Sequence, residues 1–160
     1  RHTRCSRDWS SDVCSSDLDN SVQVWVNEED HLRIVALQPG ADVEAVLKRL
    51  LQVHRVLERQ LTFAQSARYG YLSACPSNLG TGMRASFHMH LPRTGESAAF
   101  NALCERHGLV VRGAAGERSA PAHAVYDVSN KRRLGVTVAQ CLSGLLAGVA
   151  SIVALERGQA

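Results

Sequence analysis

The stretch CPSNLGTGMRASFHMHLP, residues 75–92, decides how the rest of the chain is read. A cysteine opens it, followed by the turn formers Pro76, Ser77, Asn78, Gly80 and Gly82, which predict a tight loop around a thiol. Then the residues alternate. Arg84, Ser86, His88 and His90 fall on one side of an extended chain, and Ala85, Phe87, Met89 and Leu91 on the other. This is the period of a strand with one buried face. Its polar side offers a cation, a hydroxyl and two imidazoles, a set suited to an anionic, ring-bearing ligand. No Gly-Lys-Ser/Thr follows the glycines, so the loop is not a Walker A phosphate loop.

Outward from this segment the pattern mixes strands and helices. SVQVWV and HLRIVAL are rich in β-formers and are joined by the acidic turn Asn27-Glu28-Glu29-Asp30, which predicts a hairpin. Pro39-Gly40 then introduces a long amphipathic helix, with Val43, Val46, Leu47, Leu50, Leu51, Val53 and Leu57 near helical spacing. YGYLSA reads as a short strand entering the thiol loop. Ser97 to His107 reads as a helix, LVVRG and AVYDVSN as strands, and Thr137 to Arg157 as a closing helix. Between the last two strands, GAAGERSAPAH is a loop of small residues suited to bending over a ligand. Strict βαβ alternation is missing, so the expected class is α+β, with a mainly antiparallel sheet flanked by helices.

Bulk properties set wider limits. At 160 residues, 45% hydrophobic and 21% charged, the chain suits one globular domain with a real core. A net charge of +3 gives no case for nucleic acid. The most apolar run, Cys141 to Leu155, is shorter than a membrane span and reads as a core helix, so no membrane partner is expected. Five cysteines without CxxC pairs argue against a disulfide scaffold or a structural zinc site, and fit a reduced, cytoplasmic setting. Cys104 and Cys141 fall in helical patterns and read as core thiols. No signal peptide is visible, and the chain begins with Arg1 rather than Met, so its start is expected to lie upstream. Residues 1–20, with the repeated triplet SSD, show no helical or strand period. They read as a disordered or artefactual extension without a functional role, and residues 21–160 as the domain proper.

Three stretches, VWVNEEDHLRI, CPSNLGTGMRASFHMHLP and LVVRGAAGERSAPAHAVYDVSNKRRLG, together resemble the phosphagen (ATP:guanidino) kinases in order and spacing. The resemblance runs from about Val22 to the C-terminus and implies the C-terminal part of that family's catalytic domain, truncated on its N-terminal side. It implies reversible transfer of the γ-phosphoryl group of ATP to a guanidinium nitrogen, with ATP/ADP and Mg²⁺ as cofactors. Mg²⁺ would arrive on the phosphates and keep waters, so no protein-built metal site is expected. Phosphoryl transfer rests on positioning and charge neutralisation, work to which the planar, permanently charged arginine fork is suited.

The resemblance further implies roles for single residues. Arg33, Arg84 and Arg112 are the arginines expected on the nucleotide phosphates. Ala85, Ser86, Phe87 and His88 of the alternating strand, the loop Gly113, Ala114, Ala115, Gly116 and Glu117, and Asp127 are expected near the nucleotide. Glu29 and Glu117 would grip the guanidinium, and Cys75 would lie beside it, where a thiolate offsets positive charge. Glu29, Cys75 and Glu117 are therefore the expected catalytic and substrate-binding residues, with Ser77 able to donate a hydrogen bond to the thiol. Glu28 and Asp30 read as solvated turn residues, and His90 as structural. Glu117 and the run SNKRRLG favour free arginine as acceptor over creatine. GMRAS and HGLVVRG also suit a protein-arginine kinase, and a catalytically inactive nucleotide-binding fragment is the alternative of a different class. The sequence leaves the oligomeric state open. Ala114, Ala115, Pro121 and His123 depart from the residues common in that family's closing loop, which leaves the acceptor itself open.

Overall fold

The computed structural model describes residues 3–4, 12–15, 21–113 and 122–158, in two compact units. One comprises residues 1–65 with 73–76, the other residues 66–72 with 77–160.

The first unit is built on a four-stranded antiparallel sheet in the order β1-β2-β3-β4, with β1 at Thr3–Arg4, β2 at Asp12–Ser15, β3 at Val22–Val26 and β4 at Leu32–Ala36. The hairpin expected from SVQVWV and HLRIVAL is formed, and its register sets Trp25 opposite Arg33. Asn27 turns the corner with φ of 54°, a left-handed value that asparagine tolerates, and its amide donates to the carbonyl of His31 at 3.0 Å. Helix α1, Val43–Glu58, is capped by Asp42, whose side chain accepts from the amide of Ala45. Val43, Val46, Leu47, Leu50, Val53 and Leu57 are half-buried as the periodicity predicts, whereas Leu51 is exposed. Arg49 fastens the helix to the preceding loop by donating to Gln38 Oε1 at 3.2 Å.

The structure places strands where the sequence carries no period. β1 and β2 both lie within residues 1–20, and β2 pairs with β3 through Val13↔Trp25 and Cys14↔Val24. A β3 paired on one side alone would expose a row of amides and carbonyls. β2 satisfies that row through backbone atoms, which needs no particular side-chain pattern.

The second unit starts at Ser66, the last residue of β5 (Gln65–Ser66), which pairs in a short ribbon with β6 (Gly70–Tyr71), so the strand expected over YGYLSA is confined to Gly70 and Tyr71. Its main sheet is antiparallel, in the order β7-β9-β8, with β7 at Ser86–His90, β8 at Leu109–Gly113 and β9 at Val125–Asn130. Helices α2 (Ala98–Arg106) and α3 (Val138–Glu156) begin and end within a residue of the expected bounds. Ser97 caps α2, and Thr137 with Gln140 forms a capping box on α3. The core joins one face of the sheet to these helices through Leu91, Phe100, Leu109, Tyr126, Val128, Leu145 and Ile152. Cys104 and Cys141 are buried as expected, and burial pushes the Cys104 thiol up. Gly148 lets α3 approach closely, since a Cβ there would overlap the Leu109 and His107 side chains. By length and composition alone α3, at 19 residues, is long and apolar enough to cross a membrane, because Val138 and Ala139 lengthen the helix ahead of the run that starts at Cys141. One stripe of it, Cys141, Leu145, Gly148 and Ile152, is buried in this unit.

Candidate active site

In the first unit the acidic turn and the thiol segment are joined. Glu29 sits exposed at the turn, and Arg33 follows on β4. Arg33 donates from Nη1 to Glu28 Oε2 at 3.3 Å while remaining largely exposed. Asp30 reaches a residue 44 positions away: its Oδ1 accepts from the amide of Ala74 at 2.6 Å. Ser73 donates from its hydroxyl to the carbonyl of Cys75 at 2.9 Å, and Cys75 is half-buried. Glu29, Arg33 and Cys75 therefore belong to one compact unit. Glu28 and Asp30, expected as solvated turn residues, both have partners. A short turn places Glu28 within reach of the arginine two residues into β4, and Asp30 bonds a backbone amide, a partner that leaves no mark in the sequence.

In the second unit the register assembles the polar face. His88 on β7 and Arg112 on β8 both stand opposite Asp127 on the central strand, so the three form a row across the sheet. Ser86 stands opposite Ser129 one row on. Arg84, just before β7, donates from Nη2 to Asp127 Oδ2 at 2.5 Å. Asp127 Oδ1 is buried, lacks a hydrogen-bond partner among the described residues, and lies 3.9 Å from His88 Nε2. The alternation read from the sequence holds: Arg84, Ser86, His88 and His90 are exposed, and Ala85, Phe87 and Met89 pack on the core. The side chains of Ala85 and Phe87, expected near the nucleotide, thus point away from this polar face. Two arginines against one carboxylate leave the face with cationic donors in excess, the chemistry that binds phosphate oxygens.

The loop after the thiol is held by groups the sequence reading did not single out. Pro76–Asn78 forms a single 3-10 turn. Arg133 donates from Nη1 to the Ser77 carbonyl at 2.6 Å and to Asn78 Oδ1 at 3.0 Å, and its carbonyl accepts from the Thr81 amide at 3.0 Å. Gly80, with φ of 104°, lies so close to the Arg133 backbone that any Cβ would overlap it. Asn130, buried at the end of β9, accepts from the Ala85 amide at 2.8 Å and donates to the carbonyls of Met83 and Arg132. It fixes the entry into β7 just after Arg84. The SNKRR run that contains Arg133 was visible in the sequence, but its contacts are to backbone and depend on the fold. Gly113 ends β8, buried; Ala114, Ala115, Gly116 and Glu117 lie outside the described residues.

Residues 3–159 match the family model of the ATP:guanido phosphotransferase C-terminal catalytic domain. The chain belongs to this family. It is 44% identical over 134 residues to an arginine kinase of Liolophura japonica, covering 84% of this chain and 38% of that protein. A taurocyamine kinase of Schistosoma mansoni is 43% identical over 133 residues, 83% of this chain and 18% of its own length. Among solved structures, the duplicated taurocyamine kinase of S. mansoni with bound transition-state analogue components superposes with a TM-score of 0.89 at 38% identity. That match covers 95% of this chain and 22% of the other. A lombricine kinase superposes with a TM-score of 0.85 at 33% identity, over 96% of this chain and 45% of the other. The chain spans less than half the length of each of these relatives. The guanido phosphotransferase match begins at residue 3 and so includes β1 and β2.

Proposed function

We propose that the protein containing this chain transfers the γ-phosphoryl group of ATP reversibly to free arginine. In the forward direction a guanidinium nitrogen attacks the γ-phosphorus, an N–P bond forms, the bond to the β–γ bridging oxygen breaks, and ADP leaves as the nitrogen gives up a proton. The observation that carries this reading is the Arg84–Asp127–Arg112–His88 row, a cationic face on a rigid sheet whose strands belong to the family's catalytic domain. Arg84 and Arg112 neutralise charge on the phosphates, with Arg33 as a further phosphate arginine. His88 and Ser86 lie beside the nucleotide, with Asp127 as the carboxylate that aims Arg84. Mg²⁺ carried on the ATP phosphates would supply further neutralisation of their charge.

In this reading Glu29 and Cys75 supply the negative charge that a guanidinium requires, and Glu117 supplies a second carboxylate from the closing loop. Two carboxylates restrict rotation of the guanidinium and fix which nitrogen attacks. Arginine kinases among the relatives support arginine as acceptor. The taurocyamine kinase relative, at nearly the same identity, supports taurocyamine as the second reading. The setting is the reducing cytoplasm, where Cys75 is kept from disulfide formation.

The deciding experiment offers arginine, taurocyamine, creatine and an arginine-bearing protein to the full-length enzyme with MgATP and measures phosphorylated product. Arginine is expected to turn over fastest, and Glu117→Gln to lower that rate while leaving ATP binding nearly intact. Faster turnover of taurocyamine or creatine would overturn the acceptor, and indifference to the Glu117 change would remove the two-carboxylate grip.

A further inference from the structure

The acidic turn and the thiol segment share a physical problem. Residues 27–31 and 72–75 carry no helix or strand, so regular backbone pairing does not fix Glu29 and Cys75 relative to each other. Yet a guanidinium held between a carboxylate and a thiol needs both at a set separation, since a misplacement of about 1 Å costs on the order of a hundredfold in rate.

The hydrogen bonds around Asp30 solve it. The turn is closed by the Asn27 amide on the His31 carbonyl at 3.0 Å and by Arg33 on Glu28 at 3.3 Å. From this closed turn Asp30 Oδ1 takes the Ala74 amide at 2.6 Å, across 44 residues of sequence. Ser73 on one side of Ala74 then holds the Cys75 carbonyl on the other at 2.9 Å. Asp30 is the immediate neighbour of Glu29, and Ala74 of Cys75. One carboxylate–amide bond therefore spans the two elements at the residues adjoining both Glu29 and Cys75.

We propose that Asp30 is a positioning residue that couples Glu29 to Cys75, so that the carboxylate and the thiol meet the guanidino substrate as one preset pair. The inference rests on the proposed guanidino kinase function for its kinetic consequence, and on the hydrogen bonds alone for its structural one. What the coupling requires of residue 30 is an acceptor oxygen at that reach; its negative charge is secondary. Asparagine keeps the acceptor oxygen, alanine removes it, and glutamate displaces it by one methylene.

The test compares Asp30→Ala, Asp30→Asn and Asp30→Glu in the full-length protein by two readouts. In steady-state kinetics, Asp30→Ala is expected to lower kcat/KM for the guanidino acceptor at least about tenfold, the scale of a lost charge-assisted hydrogen bond, with KM for ATP unchanged. Asp30→Asn is expected to stay within about twofold of the parent, and Asp30→Glu to fall between. In iodoacetamide labelling resolved by peptide mass spectrometry, Asp30→Ala is expected to free the segment and raise the rate at Cys75 severalfold, leaving Cys104 and Cys141 unchanged. Kinetics and Cys75 labelling both unaffected in Asp30→Ala would overturn the proposal, as would Asp30→Asn behaving like Asp30→Ala. If Asp30→Ala does not fold, an unaltered Asp30→Glu overturns it equally. A parent enzyme that phosphorylates no guanidino compound defeats the function proposed above, and the labelling comparison still decides the coupling.

Discussion

Arg84 Nη2 and Asp127 Oδ2 are 2.5 Å apart, and the bond ties the segment just before β7 to β9 where the polar face of the sheet carries its cations. Asp127 is 8% exposed and sits between His88 and Arg112 in register, so its carboxylate restrains Arg84 within a row already fixed by backbone pairing. Preorganised donors of this kind stabilise charge that develops in a transition state without reorganising as the reaction proceeds. Arg84→Ala in the full-length enzyme is accordingly expected to lower kcat by about a hundredfold, close to 3 kcal/mol. Steady-state kinetics with saturating ATP check this, and an unchanged kcat would remove Arg84 from the phosphate site.

Accessibility separates the thiols. Cys75 is half-buried, whereas Cys104 and Cys141 are 5% and 7% exposed and burial raises the Cys104 thiol further. Iodoacetamide is therefore expected to modify Cys75 roughly ten times faster than either core cysteine, with the rates read by peptide mass spectrometry. ATP together with the guanidino acceptor is expected to protect Cys75. Equal rates at the three positions would contradict the assignment of Cys75 to a substrate surface.

Asn130 carries more of the second unit's fold than its size suggests. Its side chain uses the acceptor on Ala85 and the donors on Met83 and Arg132, all in a buried place. Asn130→Ala leaves these backbone groups unpaired and is expected to destabilise the protein by about 2 kcal/mol. Asn130→Asp does no better, because a carboxylate would face the two carbonyls. Urea denaturation gives the value, and a loss under roughly 0.5 kcal/mol would show that water replaces the asparagine.

Much of this was legible in residue patterns, for identifiable reasons. The β7 face could be read because its apolar and polar residues alternate without a break, and the ends of α2 and α3 because Ser97 and Thr137 are good caps. The roles expected of Cys75, Glu29 and Arg112 came from the resemblance of their three stretches to the phosphagen kinases, not from periodicity. The register that sets His88 and Arg112 against Asp127 could not, since strand order is a non-local choice. Asp30 and Arg133 escaped for a related reason: each bonds backbone groups distant in sequence, which every residue type presents alike. β2 escaped because pairing with β3 needs backbone atoms only.

The last prediction concerns acid stability and rests on Glu156, at the end of α3. Its carboxylate accepts from the Thr94 hydroxyl and from the amides of Thr94 at 3.0 Å and Arg93 at 3.1 Å, while Arg93 donates back to the Glu156 carbonyl. These bonds tie the turn between β7 and α2 to the closing helix. They hold the carboxyl below its ordinary value of 4.5, chiefly through the Thr94 hydroxyl, with the two amides and the Arg93 charge adding and partial desolvation opposing. The sign follows from which state binds the proton more readily. An unfolded chain, with the higher value, takes up its proton first, so the stabilisation is complete above pH 4.5 and is lost as pH falls through the depressed native value. Glu156→Gln removes this titration but keeps an acceptor oxygen for the amides. The thermal midpoint of the parent is therefore expected to fall more steeply than that of Glu156→Gln as the solution is acidified below pH 4.5, and the two curves to run parallel at neutral pH. Circular dichroism melts of both proteins across that range measure the difference. Curves that stay parallel through the acid limb would show that the Thr94–Glu156 contact contributes nothing in solution, and that other groups hold the β7–α2 turn against α3.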